Sequence, residues 1–261
     1  MSTYIFGDVH GRIRTLDALL EKIGFADSDH AIFVGDLVNV GSESADVLRR
    51  VKNLKNQTTV LGNHDLHMLA VIVAGHSVRS KDTFYDVLRA PDRDDLVDWF
   101  LHQNMAAQHH DSLIIHAGVL PEWNVALTLS IAQEIESALQ TDPTSIFADM
   151  YGNEPSRWRD DLEGMDRLRI GINTLTRCRV IGSDHVLEYQ FKGEYDDIPS
   201  GFHAWFDLST IESRMYFGHW SALGLRDFGA AYALDSGCAW NRELSCVRHE
   251  DGTVFQQTVL P

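Results

Sequence analysis

The rest of the chain is organised around the segment Thr3-Tyr4-Ile5-Phe6-Gly7-Asp8-Val9-His10-Gly11. Its first four residues are β-branched or aromatic, which is typical of a buried strand, and from Ile13 onward apolar residues recur at helical spacing. Asp8 and His10 therefore lie in a strand-to-helix turn, where open α/β sheets bind their ligands. Because side chains two residues apart in an extended segment point the same way, this carboxylate and this imidazole can meet one divalent cation.

The same arrangement returns at two later points of the chain. Residues 31–34 are followed by Gly35-Asp36-Leu37-Val38-Asn39, and residues 58–61 run into Gly62-Asn63-His64-Asp65. Two further apolar segments end in His116-Ala117-Gly118 and in Gly218-His219. A buried core accounts for the strands, but it does not explain why carboxylate, amide or imidazole groups follow them. The repetition predicts a site built at the ends of several strands.

Length, hydrophobicity and cysteine usage limit the classes of protein to which the chain can belong. With 261 residues, of which 44% are hydrophobic, the chain can bury a large core. We expect one α/β domain over residues 1–261, with a largely helical cap inserted at about residues 120–213. Three widely spaced cysteines without a Cys-x-x-Cys pair argue against a disulfide framework and a structural zinc site. Without a leader or an apolar run that crosses a bilayer, the sequence favours a cytoplasmic protein with no membrane contact.

The formal net charge of −16 argues against the nonspecific DNA or RNA binding that depends on basic surface. It would also repel a polyanionic substrate at long range. If the protein acts on phosphates, bound cations and a few local arginines must reverse the field in the cleft. The expected cap contains such a local concentration of arginine: Arg167, Arg169, Arg177 and Arg179.

The polar residues at the strand ends form a mixed nitrogen and oxygen ligand set, namely Asp8, His10, Asp36, Asn63, His116 and His219. Such a set suits two divalent metal ions, with a carboxylate as the bridge because each of its oxygens can bind one ion. Paired metal ions are a recurrent device for hydrolysing phosphate esters and anhydrides, and they require no side-chain nucleophile. The sequence has neither a P-loop nor a Gly-x-Ser-x-Gly motif, which agrees with that chemistry.

The strand-end motifs read Gly7-Asp8-x-His10-Gly11, Gly35-Asp36-x-x-Asn39-x-Gly41, Gly62-Asn63-His64-Asp65, His116-Ala117-Gly118 and Gly218-His219. They resemble the phosphoprotein-phosphatase-type metallophosphoesterases over nearly the whole chain. Within that group the sequence is most similar to the bacterial symmetrical bis(5'-nucleosyl)-tetraphosphatases. That closer similarity includes Met150-Tyr151-Gly152, Arg167-Leu168-Arg169, Thr176-Arg177, Phe217-Gly218-His219-Trp220 and Ala233-Leu234-Asp235-Ser236-Gly237-Cys238.

The resemblance implies an α-β-β-α sandwich in which two mixed sheets face each other between flanking helices. It implies two bound divalent ions, one held by Asp8, His10 and Asp36 and the other by Asp36, Asn63, His116 and His219. We expect manganese at both positions, and cobalt, iron and zinc suit the same ligands.

The implied activity is symmetrical hydrolysis of diadenosine tetraphosphate to two ADP by in-line attack of a metal-bound water. His64 would protonate the leaving phosphate, and Asp65 would orient and polarise its ring. Tetraphosphate-capped RNA 5′ ends are a second substrate class that the resemblance allows. We expect the protein to act as a monomer.

Substrate-binding residues are expected in the cap. Arg177 is the first candidate for a phosphate contact, with Arg169 and Arg179 as rivals, because a guanidinium matches phosphate oxygens in pairs. Trp158 is the first candidate to stack on adenine.

One position departs from the family pattern Gly-Asp-x-Val-x-Arg-Gly. Val40 stands where the arginine that would clamp the scissile phosphate is expected. Arg177, Arg12 and Arg14 are the arginines considered as its replacement.

Two other functions stay open at this point. A protein serine/threonine phosphatase shares the core motifs, and only the arginine-bearing cap argues against it. A catalytically silent nucleotide-binding regulator fits less well, because every metal position and the His64-Asp65 pair are present.

Overall fold

The computed structural model describes residues 1–261 and contains two five-stranded mixed sheets. In chain order the strands are β1 (Thr3–Phe6), β2 (His30–Phe33), β3 (Gln57–Thr59), β4 (Ala106–His109), β5 (Ser112–Ile115), β6 (Val180–Gly182), β7 (Leu187–Glu188), β8 (Phe202–Ala204), β9 (Met215–Phe217), β10 (Arg226–Asp227), β11 (Ala231–Ala233), β12 (Glu243–Arg248) and β13 (Val254–Thr258). The first sheet has the order β13-β12-β1-β2-β3, the second has the order β10-β11-β9-β5-β4, and β7-β6-β8 form a small third sheet.

Nine α-helices connect and cover the strands. They are α1 (Ile13–Lys22), α2 (Ser44–Lys52), α3 (Asn63–Val73), α4 (Tyr85–Leu88), α5 (Arg93–Leu101), α6 (Val125–Thr141), α7 (Pro143–Asp149), α8 (Gly164–Arg177) and α9 (Trp205–Leu208). Short 3₁₀ turns lie at Tyr195–Asp197, Ser221–Leu223 and Cys238–Trp240. None of the helices is both long and apolar enough to cross a membrane.

The alternation of side chains along the strands builds a core on both faces of each sheet. Ile5 of β1 and Ile114 of β5 meet Tyr216 of β9 in a buried cluster between the two sheets. Their sequence neighbours point outward, because successive side chains of a strand face opposite sides. Phe6 and Phe33, stacked with ring centroids 5.0 Å apart, belong to the larger cluster that includes the helices. This layering is the α-β-β-α sandwich that the resemblance implies, and the prediction is confirmed.

Residues 120–213 combine helices with strands. They contain α6, α7, α8 and the small α9, together with the antiparallel sheet β7-β6-β8. The sequence predicts the helical part but not the three-stranded sheet, whose strands have only two or three residues each. Such short strands carry too little periodicity to be recognised in the sequence.

Candidate metal centre and active-site cleft

Six polar side chains follow the parallel strands of the two sheets, three in each sheet. Strands β1, β2 and β3 are parallel neighbours, and so are β5, β9 and β11. Because the carboxyl ends of parallel strands share one edge of a sheet, the residues that follow them meet there. These residues are Asp8, Asp36 and Asn63 in the first sheet and His116, His219 and Asp235 in the second.

Three residues of this edge have a left-handed backbone. The φ angles of His10, Asp36 and His219 are 52°, 51° and 62°. Non-glycine residues adopt this region rarely, and they do so mainly at functional sites whose surroundings fix them. The carbonyl oxygen of Asp36 accepts the backbone N–H of Val9 at 3.1 Å and of His10 at 2.9 Å. The loops after β1 and β2 therefore hold each other in place.

Asp36 lies in two groups of candidate ligand atoms. It groups with His10 and His64 on one side and with His116 and His219 on the other, and the atoms of each group lie within 4.8 Å of one another. Asp36 Oδ2 is 3.8 Å from His10 Nε2 and 3.5 Å from His116 Nε2. The structure thus places between the two groups the same carboxylate that the resemblance makes the bridge.

Asp8 and Asn63 lie beside these two groups. Asp8 Oδ2 is 3.8 Å from His10 Nε2 and accepts the backbone N–H of His219 at 3.0 Å. One amide atom of Asn63 lies 2.8 Å from His219 Nδ1 and 3.3 Å from His116 Nε2. All six predicted ligands are therefore brought together at one edge of the sandwich.

The carboxylates of this edge are buried close to one another. Burial, followed by repulsion from Asp235 and Asp36, raises the pKa of Asp8 well above its ordinary value. Burial also acts to raise the pKa of Asp36, but the imidazoles of His116, His64 and His10 outweigh it and hold that pKa well below its ordinary value. A cation bound among these groups would relieve the repulsion between the carboxylates.

Two of the three candidate-ligand imidazoles, those of His10 and His219, have lowered pKa values that favour the neutral form. Burial lowers the pKa of His10 to about 4, and burial with the neighbouring Arg179 and His116 lowers the pKa of His219 well below its ordinary value. Burial also acts to lower the pKa of His116, but the neighbouring Asp36 carboxylate outweighs it and raises that pKa. Neutral imidazole is the ligand form of histidine. His10 Nδ1 and His219 Nε2 are buried without a hydrogen-bond partner, which is uncommon for buried polar atoms. These orphaned nitrogens and crowded carboxylates fit a pair of divalent cations.

Two glycines allow the backbone to approach the carboxylates. A Cβ atom at Gly218 would overlap Oδ1 of Asp8, and one at Gly62 would overlap Oδ1 of Asp36. Backbone N–H groups close to these glycines donate to the same carboxylates, as His64 does to Asp36 Oδ1 at 2.9 Å and His219 does to Asp8. A side chain at either glycine would displace a candidate metal ligand.

The prediction that Asp65 orients the His64 ring is wrong. The oxygens of Asp65 accept the backbone N–H groups of Gly62 at 2.9 Å, Leu37 at 2.9 Å and Val38 at 3.3 Å. Asp65 is fully buried, and it fixes the N-terminus of α3 against the loop after β2. Consecutive helix residues point in different directions, so adjacency in sequence does not place the carboxylate on the ring of His64.

The ring of His64 instead contacts Asn39. Its Nδ1 atom lies 3.0 Å from Asn39 Nδ2, and the same amide nitrogen donates to Asp82 Oδ1 at 3.1 Å. His64 lines the cleft above the predicted metal ligands. Asn39 therefore contacts the His64 ring directly, and Asp82, in the connection between α3 and α4, holds the Asn39 amide.

The cleft has a volume of about 1100 Å³ and is rich in basic side chains. Five of the six predicted ligands line it, namely Asp8, His10, Asp36, Asn63 and His219. Six basic residues also line it: Arg79, Lys81, Arg177, Arg179, Lys192 and Arg242. In a chain with a net charge of −16, this concentration supplies the local reversal of field that a polyanionic ligand requires.

Of the three predicted phosphate arginines, Arg177 and Arg179 line the cleft and Arg169 does not. Arg177 is held by Asn173 Oδ1 at 2.8 Å and Asn153 Oδ1 at 3.0 Å, and it lies over the ring of Tyr189. Arg169 donates to the carbonyl oxygens of residues 149 and 154, so its guanidinium holds the loop that carries Tyr151. Arg169 is corrected from a ligand to a support of this loop.

Trp158 is also absent from the cleft, which corrects its predicted role. It is 5% exposed, packs edge-on against Trp123 and lies under Arg167, while its Nε1–H donates to Asp160. Its burial inside residues 120–213 leaves no face for a base. Tyr151 and Trp240, which are 39% and 69% exposed, line the cleft instead.

Val40 lines the cleft in a left-handed conformation, with a φ angle of 66°. Arg12 hydrogen-bonds to Asn241 and Arg14 pairs with Glu43, so neither faces the cleft. Of the three arginines considered as a replacement at this position, Arg177 is the one that the cleft contains.

Several cleft residues have no counterpart in the sequence-based predictions. Arg79, Lys81 and Asp82 belong to the irregular connection between α3 and α4, where no periodicity draws attention to them. Trp240 lies two residues after the motif that ends at Cys238, and that proximity was the one available signal. Asn39 stands within a quoted motif, but its sequence neighbours do not reveal that it meets His64.

Comparison with known proteins agrees with this geometry. The family model described as calcineurin-like phosphoesterase matches residues 1–187. The chain is 42% identical to the symmetrical bis(5'-nucleosyl)-tetraphosphatase of Methylobacillus flagellatus, covering 100% of this chain and 96% of that one. It is 43% identical to the protein of the same name from Chromohalobacter salexigens, covering 95% and 94%. A crystal structure of a putative diadenosine tetraphosphatase has the same fold, with a TM-score of 0.65 and 22% identity over 99% of this chain and 94% of that one.

Proposed function

We propose that this chain, which belongs to the calcineurin-like phosphoesterase family and within it to the symmetrical bis(5'-nucleosyl)-tetraphosphatases, hydrolyses diadenosine tetraphosphate to two ADP. The observation that carries the proposal is that five of the six candidate metal ligands, together with His64, line one basic cleft of an acidic protein. A substrate with four consecutive phosphates is the kind of ligand that such a local field favours.

The family uses divalent metal ions, and the donor set of this chain fits them. Asp8, His10 and Asp36 would hold one ion, and Asp36 would share the second with Asn63, His116 and His219. When bound, such ions polarise phosphoryl oxygens and lower the pKa of coordinated water. We propose manganese as the resident ion, because the carboxylate and amide oxygens of the ligand set suit it.

The side chains of the cleft would bind the substrate and assist the leaving group. Arg177 would contact the polyphosphate through a guanidinium that Asn173 and Asn153 hold in position. His64 would donate a hydrogen bond to the departing phosphate. In the net reaction one water is consumed, the bridge between the second and third phosphorus atoms breaks, and two ADP form.

Product analysis tests the proposal. The manganese-loaded protein is incubated separately with diadenosine tetraphosphate, a serine phosphopeptide and p-nitrophenyl phosphate, and the products are separated by chromatography. ADP as the sole nucleotide product is expected. Turnover of the phosphopeptide alone would instead assign the protein serine/threonine phosphatase activity, which the comparisons do not favour.

We extend the proposal to tetraphosphate-capped RNA 5′ ends, since such an end carries the same reacting phosphates. We also propose that residues 1–261 act as one monomeric domain in the cytoplasm, with residues 120–213 as a cap. In support, one continuous hydrophobic cluster contains Phe6 and Phe33 of the sandwich together with Ile135 and Leu175 of residues 120–213. Size-exclusion chromatography with light scattering tests the monomer.

A further inference from the structure

His64 faces an amide where a ring-orienting carboxylate was expected. Its Nδ1 atom lies 3.0 Å from Nδ2 of Asn39, a side chain that is 3% exposed. A carboxylate at this place would accept a hydrogen bond from Nδ1–H. An amide nitrogen donates a hydrogen bond instead, so the direction of this hydrogen bond decides which ring nitrogen of His64 carries the proton.

The hydrogen bonds around Asn39 fix the orientation of its amide. Asn39 Oδ1 accepts the backbone N–H of Val40 at 3.0 Å, the backbone N–H of Thr83 at 2.9 Å and the Thr83 hydroxyl at 3.2 Å. Asn39 Nδ2 faces Asp82 Oδ1 at 3.1 Å. If the two amide atoms were exchanged, Nδ2 would face the backbone N–H groups of Val40 and Thr83, and Oδ1 would face the Asp82 carboxylate. One Nδ2 hydrogen therefore binds Asp82, and the other points to His64.

Asp82 is held in turn by a second histidine. His67 Nε2 lies 2.9 Å from Asp82 Oδ2, which also accepts the backbone N–H of Arg79. With Nε2 as the donor, His67 Nδ1 accepts from the hydroxyl of Tyr151 at 2.6 Å. The chain of hydrogen-bonded residues runs from Tyr151 at the cleft through His67, Asp82 and Asn39 to His64.

We propose that Asn39 is a positioning residue that keeps the proton of neutral His64 on Nε2 and holds the ring against the cleft. A neutral imidazole carries one proton, so an Nδ1 atom that accepts from Asn39 leaves Nε2 as the donor. The role of this donor rests on the proposed function.

The proposal also bears on substrate class. The terminal phosphate of a departing ADP is a weak base, with an ionisation near pH 6, so a hydrogen bond is sufficient for its departure at neutral pH. A serine alkoxide would require a complete proton. Asn39 therefore suits His64 to phosphoanhydrides and not to phosphoserine esters.

Kinetics test the positioning role. Asn39→Ala is expected to lower kcat for diadenosine tetraphosphate by about 10- to 100-fold, the scale on which misplaced catalytic groups act, with KM and bound metal unchanged. Asn56→Ala is the matched control, because it removes an amide hydrogen bond to Asp27 O outside the cleft. Parent-like kcat in Asn39→Ala would overturn the proposal.

Nitrogen NMR of the imidazoles tests the tautomer without any assay of activity. We use the full-length protein at pH 8, labelled with ¹⁵N-histidine and loaded with zinc, and assign His64 by its loss in His64→Gln. The proposal expects protonated Nε2 in the parent. Protonated Nδ1 in the parent would overturn it.

The double variant Asn39→Asp with Asp82→Asn reverses one hydrogen bond while keeping the shapes and the remaining partners. The carboxylate introduced at position 39 would accept both from the amide introduced at position 82 and from the His64 ring. The His64 proton is therefore expected to move to Nδ1. An unchanged tautomer in a variant that melts like the parent would overturn the proposal. If the parent releases no ADP, the proposed function fails, and the NMR result still decides the role of Asn39.

Discussion

Replacing Arg177 by alanine tests how the cleft holds its substrate. In the structure the Arg177 guanidinium donates to Asn173 Oδ1 at 2.8 Å, Asn153 Oδ1 at 3.0 Å and Gly152 O at 3.3 Å, and it lies 4.4 Å from the centroid of the Tyr189 ring. These contacts use part of its five donors and leave the rest for a phosphate. We expect Arg177→Ala to weaken binding of diadenosine tetraphosphate and of the transition state alike.

The magnitude follows from the lost contact. A hydrogen bond to a charged group contributes about 1.5–3 kcal/mol, which corresponds to about one to two decades in kcat/KM. Arg177→Lys should recover part of the loss, since it restores the charge but not the paired donors. Initial rates of ADP release over a range of substrate concentrations measure both variants.

Arg169→Ala is the matched control for this change. Arg169 supports the same loop through Asp149 O at 2.8 Å but does not line the cleft. Its removal should therefore lower the melting temperature while leaving kcat/KM close to that of the parent. If Arg177→Ala hydrolyses diadenosine tetraphosphate as the parent does, Arg177 is not the phosphate contact. An equal loss of kcat/KM in Arg177→Ala and Arg169→Ala would show that substrate binding depends on the loop that both arginines contact and not on the Arg177 guanidinium.

Four other changes test separate parts of the account. Asp36→Asn should lose more metal than Asp8→Asn, because Asp36 belongs to both ligand groups; two full equivalents in Asp36→Asn by elemental analysis would contradict this. Trp240→Ala should raise KM for diadenosine tetraphosphate about 5- to 150-fold and leave KM for inorganic tetraphosphate unchanged, because stacking contributes ~1–3 kcal/mol per base. Val40→Arg should raise kcat/KM if that position is a vacant clamp, and an unchanged value would mean that Arg177 already fills the role. Burial, with His110 and His249, lowers the pKa of His109 from 6.5 to about 4. The unfolded chain therefore binds more protons than the folded one between these pH values, and the free energy of unfolding falls as pH decreases from 6.5 to about 4. His109→Gln should reduce the accompanying fall in melting temperature and should melt like the parent at pH 8.

The sandwich and the convergence of its strand-end polar side chains could be predicted because their signals are local. The residues of β1 and the Asp8-x-His10 turn are contiguous, and the turn follows directly from a strand running into a helix. The candidate ligands meet because parallel strands end at one edge, a rule that holds without knowledge of the packing. The proposal that a carboxylate bridges two ions rests on chemistry alone, since each carboxylate oxygen can bind one ion.

The environment of His64 could not be predicted because it is built from distant segments. Asn39 and Asp82 lie 25 residues before and 18 residues after His64 in the numbering. Asn39 contacts the His64 ring directly, and Asp82, in the α3–α4 connection, contacts Asn39. The prediction that Trp158 stacks on adenine was wrong for a related reason. Exposure of an aromatic side chain depends on its tertiary neighbours, here Trp123 and Arg167, and sequence composition does not reveal them.

Symmetrical cleavage is tested most directly by hydrolysis of diadenosine tetraphosphate by the manganese-loaded protein in ¹⁸O-labelled water, with the product masses measured by mass spectrometry. Symmetrical cleavage predicts ADP as the only nucleotide product, half of it carrying one ¹⁸O atom on the terminal phosphate. AMP with ATP in place of ADP, or intact substrate after prolonged incubation, would contradict the account.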